Sequence, residues 1–459
     1  MRKNFFMVCF FIFIHTLYGQ DDRLMQYIQE GLEKNLALQQ KEFSLQQSIL
    51  ELREASGKFL PSIGIEARYS RAGGGRIIEF PVGDLMNPVY DAINITRIQT
   101  GQTPLPFPRL ENERIPFLRE KEHETKIRAI QPVFQPLLYF NHKIKGDLKN
   151  AREFEVLAYK RVLIAEIKST YFNYVKAGKV VHLLEQTMQL LEENMRINEK
   201  LVEQGMANKE VIYRARAEIS KMEQELHEAG KNEALARAYF NHLLNRSLDT
   251  AIEVSAYTAI IPGTELLIEE VRHAAMNNRE ELRQLQEYID VANSSKGMAG
   301  SAFLPGVVVV ADYGYQGETY RLTKEDDYWM ISGVLQWNLF NGFQDQTRRQ
   351  MAEIEKQKLL KSLQETERLI ILQVQQSFYN LDVARKGKIT AEDRLEAARQ
   401  SYQLIKRKYE EGMASQIEYM DARNTLTSAE VFHVLSQYDY LIRAAELERV
   451  AGLWKFKQN

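Results

Sequence analysis

The chain has 459 residues, with 60 Lys and Arg against 62 Asp and Glu, so no basic surplus points to nucleic acid. A mean hydropathy of −0.39 with 27% charged residues excludes a bundle of apolar transmembrane helices, and a hydrophobic share of 44% excludes wholesale disorder. The one long apolar run, Phe5 to Ile14, is shorter than the roughly 20 residues a spanning helix needs.

That run reads as part of an export signal. Arg2 and Lys3 precede it, and Leu17-Tyr18-Gly19-Gln20 offers a small residue, Gly19, just before a cut. Removing 1–20 would take two basic residues, leaving 58 against 62 acidic ones and a net charge of −4. It would also remove Cys9, the one cysteine, so the mature chain is expected to carry no disulfide, thiol nucleophile or thiolate metal site.

Proline placement organises the rest of the chain. All 11 prolines fall at or before 136 or at 262 and 305, which leaves 137–261 and 306–459 free of them. Proline costs about 3 kcal/mol inside a helix, so these stretches can hold long helices. Leu163, Ile167, Tyr171, Tyr174, Gly178, Val181, Leu184, Met188, Leu191 and Met195 recur at threes and fours, as do Leu363, Ile370, Val374, Phe378 and Leu381. A helix over 141–204 would run roughly 100 Å at 1.5 Å per residue. Such a helix needs partners along its whole length.

The chain is also an internal duplication. Phe59-Leu60-Pro61 returns as Phe303-Leu304-Pro305, and the same offset pairs Leu38 with Leu282 and Ala55 with Ala299. Gly205-Met206-Ala207 returns as Gly412-Met413-Ala414, an offset smaller by 37 residues, so the first half carries an insertion of that size within 72–126. A period near 200 residues is a duplication rather than a solenoid. The chain therefore divides into a signal at 1–20, a first repeat at 21–261 and a second at 262–459. Each repeat has a helix, a β-hairpin and a long helical hairpin. The β-hairpins are expected at about 59–133 and 303–340, and the helical hairpins at 141–247 and 345–453.

Strands follow each Phe-Leu-Pro. Ile63, Ile65, Ala67 and Tyr69 alternate with polar residues, and Val307, Val309, Ala311, Tyr313 and Tyr315 form the second apolar set. The return strand of the second repeat places Trp329, Ile331, Gly333, Leu335, Trp337 and Leu339 on one side. The first repeat's return, Thr125 to Val133, alternates poorly and is assigned by analogy. Apolar faces with aromatics near strand ends suit lipid, with Tyr313, Trp329 and Trp337 as expected lipid-facing residues. Four strands cannot close a barrel, and an open edge cannot survive in lipid. The chain is therefore expected to oligomerise, and three copies would supply twelve strands.

In these features, and in the aromatic strand end Leu339-Phe340-Asn341-Gly342, the chain resembles the TolC-type outer-membrane efflux proteins. The resemblance covers essentially all of the mature chain. It implies a mainly α fold with a small β part: a homotrimer with a twelve-stranded outer-membrane β-barrel, continued by a long periplasmic α-helical barrel. It implies a passive conduit rather than an enzyme, in contact with outer-membrane lipid. Its partners would be a periplasmic adaptor (membrane fusion) protein and an inner-membrane pump, in drug efflux, metal efflux or type I secretion. No cofactor and no nucleic acid partner is implied.

The two glycine turns are the expected working ends. Gly412 suits a left-handed C-cap, and Ser415 to Glu418 reads as a capping box for the next helix; Gly205 makes the same turn with Asn208 as the expected N-cap. The resemblance implies that Gly205, Met206, Gly412 and Met413 dock the adaptor. It also implies that Glu418 and Asp421 constrict a closed pore, with Tyr409 in its latch. Simple capping by Glu418 and a solvated helix face for Asp421 compete with that role. Val211 and Arg214 stand where the repeat would place the matching acids of the first tip. No catalytic or metal-binding set competes: the seven mature histidines show no i,i+4 pair, and Gly73-Gly74-Gly75 lacks the Lys and Ser or Thr of a phosphate loop. A periplasmic adaptor or coiled-coil scaffold is the alternative reading, and a secreted enzyme a weaker one.

Overall fold

The structure is a computed structural model that describes residues 22–254 and 267–454. The expected signal at 1–20 and the expected repeat boundary at 261/262 lie outside the described residues. In chain order the elements are α1 (Asp22–Lys34), α2 (Leu36–Gly57), β1 (Ser62–Arg71), β2 (Ile77–Phe80), α3 (Val82–Gln99), β3 (Glu113–Pro116), β4 (Lys121–Phe134), α4 (Pro136–Glu203) and α5 (Glu210–Leu243). There follow α6 (Ile268–Asn278), α7 (Glu280–Gly300), β5 (Gly306–Gly317), β6 (Asp327–Gln336), α8 (Gln344–Glu410) and α9 (Gln416–Val450). A single 3₁₀ turn, Ser301–Phe303, leads into the second Phe-Leu-Pro. The mainly α fold with a small β part is as expected.

Two compact units result. One combines the described residues up to Leu52 with Ile144–Asn293 and those from Met351 onward; it is helical. Its largest core joins Leu24, Tyr27 and Ile28 of α1 to Leu163, Ile167 and Tyr171 of α4 and Phe240 of α5. A second core repeats the plan with Val271 and Ala275 of α6, Ile370 and Val374 of α8, and Leu447 and Val450 of α9. The duplication reaches single hydrogen bonds. Asn35, the break between α1 and α2, donates its side-chain amide to the Leu243 carbonyl at 2.9 Å. Arg279, the break between α6 and α7, donates to the Val450 carbonyl at 3.2 Å. Asn35 and Arg279 are paired by the offset of Phe-Leu-Pro, and Leu243 and Val450 by the offset of the glycine turns. Each return helix thus has its last carbonyls tied to the kink of its repeat's first helix pair.

The other unit, Arg53–Lys143 with Ser294–Gln350, holds the sheet. Its strand order is β1-β4-β5-β6, antiparallel throughout, and β2 pairs β3 in a separate two-stranded ribbon. The first repeat's return strand is regular over most of its length. Its register slips only at a bulge between Pro132 and Phe134; the weak alternation before it comes from Ile130 on the face of Lys126 and Arg128 and from Gln131 on the face of Ile127 and Ala129.

The two faces of the sheet differ sharply. Ile65, Ile127, Tyr313 and Trp329 lie in one cross-strand row, with Ile63, Ala129, Ala311 and Ile331 in the next on the same face. Ile65 is 77% exposed and Trp329 74%. On the opposite face Arg128 grips Asp312 with two bonds of 2.8 Å and reaches Glu66 at 3.0 Å. Lys126 donates to Glu124 at 2.8 Å, and the Tyr328 hydroxyl donates to the same carboxylate at 2.6 Å. The charges are paired with one another, and the apolar side chains are the ones left bare. Among the described residues no helix is long and apolar enough to cross a membrane.

Candidate functional site

Two helix-turn-helix tips carry the expected functional residues. At the first, α4 ends in a Schellman turn: Gly205 has φ 72°, its N–H donates to the Val202 carbonyl at 3.0 Å, and Met206 donates to Leu201 at 2.8 Å. At the second, Gly412 has φ 73°, its N–H donates to Tyr409 at 3.0 Å, and Met413 donates to Lys408 at 2.7 Å. An L-side chain is strained at such φ, so glycine is what lets each helix stop within one residue. The turns leave Met206 74% and Met413 67% exposed, the most projecting apolar groups of each tip.

The tips differ after the turn. Ser415 caps α9 reciprocally with Glu418: the Glu418 N–H donates to the serine hydroxyl at 3.3 Å, and the Ser415 N–H donates to the carboxylate at 2.7 Å. These bonds hold the Glu418 carboxyl below the ordinary glutamate range. At the first tip Asn208 does not cap. The cap position falls to Lys209, in a helical conformation with no side-chain bond. The Val211 N–H donates to the Asn208 carbonyl and the Ile212 N–H to the Lys209 carbonyl, at 3.2 and 3.1 Å, so a 3₁₀-like first turn uses donors a side chain would otherwise satisfy. Arg214, in the place of a second-half acid, is bound to Glu210 of its own helix at 2.6 Å.

Glu418 and Asp421 are both exposed, one helical turn apart on α9. Tyr409 is bound to neither. Its ring stacks on Tyr419, with centroids 4.8 Å apart and planes within 16°. The Tyr419 hydroxyl meets that of Tyr402 at 3.2 Å. Burial raises the phenol pKa of Tyr409, and burial with the Tyr402 bond raises that of Tyr419. Both phenols therefore stay neutral.

One link between the two hairpins at this level, beside Met420 and Val431 packed on the Leu184 and Met188 core, is a residue that the sequence did not reveal. Arg423, 8% exposed, donates to the Thr187 hydroxyl of α4 at 3.1 Å and lies over the Tyr402 ring at 5.5 Å. Its signal was a charged residue inside the buried stripe Ala422, Leu426, Thr427 and Ala429. Among the described residues no cluster of His, Cys, Asp or Glu has the makings of a metal site.

A chain that joins a sheet with one bare aromatic and aliphatic face to two long helical hairpins has the architecture of an outer-membrane channel. Residues 271–453 match the family described as Outer membrane efflux protein. The fold is that of solved channels of this class. The outer-membrane channel CmeC of Campylobacter jejuni matches with a TM-score of 0.76 at 18% identity, over 94% of this chain and 86% of that one. The open state of the MtrE outer-membrane channel of Neisseria gonorrhoeae matches with 0.75 at 16%, over 94% and 89%. The outer-membrane protein VceC of Vibrio cholerae matches with 0.74 at 15%, over 94% and 96%. No curated protein matches the chain by sequence. The TolC-type resemblance read from the sequence is borne out, and nothing in these likenesses favours the adaptor alternative. The matching proteins are channels rather than enzymes.

Proposed function

We propose that three copies of this chain close their sheets, the β1 edge of each on the β6 edge of the next, into a twelve-stranded barrel in the outer membrane. The single observation that carries this reading is the inverted sheet. Apolar rows stand exposed on one face while Arg68, Lys126 and Arg128 pair with Glu66, Glu124 and Asp312 on the other. That is the pattern of a wall between lipid and water. The two free edges must be paired before such a wall can enter lipid, where an unsatisfied backbone group costs several kcal/mol.

The helical hairpins continue the conduit into the periplasm as an α-helical barrel. The chain supplies no energy and carries out no reaction; it is the outer component of a tripartite efflux or secretion system. The tips at Gly205-Met206 and Gly412-Met413 meet a periplasmic adaptor, and an inner-membrane pump delivers the substrate. Glu418 and Asp421 of three copies line the narrowest point, with Tyr409 stacked on Tyr419 in the same tip. The test is reconstitution of the purified protein in a planar bilayer. Discrete ohmic channels that disappear on replacing Ile65 with Arg support the reading. A protein that yields no conductance and stays soluble without detergent refutes it.

A further inference from the structure

The insertion that separates the two repeat offsets folds into a unit with one finished face and one unfinished face. The extended segment after α3 runs back along the helix and is strapped to it by two asparagines two turns apart. Asn87 donates to the Leu110 carbonyl at 2.8 Å and accepts from the Leu110 N–H at 2.9 Å. Asn94 does the same to Leu105 at 3.0 and 2.8 Å. Tyr90 stacks on Phe107 with centroids 4.4 Å apart, and Arg97 donates to the Thr103 carbonyl at 2.9 Å. Gly83 lets the strap approach, since a Cβ there would collide with the Leu110 carbonyl. These residues share one side of α3, at the spacing of threes and fours.

One flank of the helix carries Leu85, Met86, Val89 and Ile93, all exposed, with Leu85 at 63%, while the other carries Asp84 and Asp91 with the exposed Ile95 and Ile98. The ribbon beside it is bare on both faces: every residue of β2 and β3 is exposed, including Ile77, Ile78, Phe80 and Ile115. A two-stranded ribbon of four-residue strands is not stable on its own in water, and an apolar stripe of this kind marks a contact surface.

We infer that this stripe packs against the same insertion of the neighbouring copies, so that three insertions form an apolar cap over the far mouth of the barrel. The inference rests on the trimer proposed above. Two observations select a second copy as the occupant. The insertion leaves β1 directly after Arg71, and among the described residues β1 is an edge strand that pairs only with β4. The insertion therefore rises at the seam where the next copy must add its strand. The helix is also wrong for a membrane surface, since its polar residues include Asp84 and Asp91 against Arg97 alone. A helix that lies on lipid headgroups carries a cationic polar face.

The test uses the absence of cysteine from the expected mature chain. Val89→Cys and Leu85→Cys place a thiol on the stripe, and Asp91→Cys places one on the other flank, beside Ile95 and Ile98, as a control. Each purified mature protein is treated with a short bismaleimide and run on a denaturing gel, with native mass spectrometry on the same sample. The expected result is covalent dimers and trimers from the stripe variants, with little or none from the Asp91→Cys control. A trimer by mass in which neither stripe variant exceeds the control overturns the cap alone. If a nitroxide on such a trimer at Val89→Cys is also reached by oxygen dissolved in lipid, the stripe belongs to the membrane. A monomer by mass overturns the trimer reading and the cap with it.

Discussion

Arg161 of α4 and Glu280 of α7 form a buried two-point ion pair, with Nε donating to the carboxylate at 2.8 Å and Nη2 to its other oxygen; both side chains are under a tenth exposed. The pair joins the first repeat to the second, and Arg161 also donates to the Trp454 carbonyl at 2.9 Å. Removing one partner of a buried pair leaves the other charge desolvated without compensation. Glu280→Ala should therefore cost about 3–5 kcal/mol, read as a drop in the midpoint of chemical denaturation in detergent. Replacing both residues with apolar ones of similar volume should recover much of that loss. A midpoint unchanged in Glu280→Ala would show that the pair does not hold the repeats together.

The tip glycines separate turn geometry from docking. Gly412→Val forces a β-branched residue to φ 73° and should cost about 1–2 kcal/mol locally. Because the strain is confined to the turn, global assembly should survive. Crosslinking of the adaptor to the tip and transport should both fall. Full transport with unchanged crosslinking would remove the docking role from Gly412 and Met413.

Asp421 and Glu418 make different predictions although they are neighbours. Asp421→Ala should weaken cation selectivity and block by divalent or trivalent cations in single-channel recordings, because a ring of acidic side chains favours cations. Glu418→Ala should do so too, but it also removes the capping partner of Ser415. The folded Glu418 carboxyl titrates below its unfolded value. Its capping contribution is therefore complete above the ordinary glutamate range and is lost as pH falls through the lowered folded value. Selectivity and block that stay at wild-type values in Asp421→Ala would return that residue to a solvated helix face.

The exposed row of the sheet can be tested by charge. Ile65 sits in register with Ile127, Tyr313 and Trp329. An arginine facing lipid near mid-membrane costs about 2–4 kcal/mol. Ile65→Arg should reduce outer-membrane insertion in a fractionation assay, whereas Ser62→Arg, on the opposite face, should be tolerated. Equal insertion of the two variants would show that this face does not meet lipid.

Much of this architecture was legible because its periods are long and its punctuation sparse. The proline-free stretches marked α4, α5, α8 and α9, and the alternation around Tyr313 and Trp329 marked β5 and β6. The helix in the insertion was not legible. Pro88 lies inside α3, where proline ordinarily ends a helix, and what sustains it is the Asn87 and Asn94 strap, contacts to residues up to 23 positions away. The break at Asn35 was hidden for a similar reason, since its partner Leu243 is 208 residues distant. At the tips the turns were visible, because Gly205 and Gly412 act locally. The partners of Tyr409 and Arg423 were not, because helix packing brings Tyr419 and Thr187 to them.

Closure of the sheet by three copies is the central claim. Native mass spectrometry of the detergent-extracted protein tests it directly, because one chain supplies only four strands of the wall. A closed wall predicts a single species at three times the chain mass that persists on dilution and dissociates only with denaturation. A stable monomer, soluble without detergent while its Ile65 and Trp329 faces remain exposed, would contradict it.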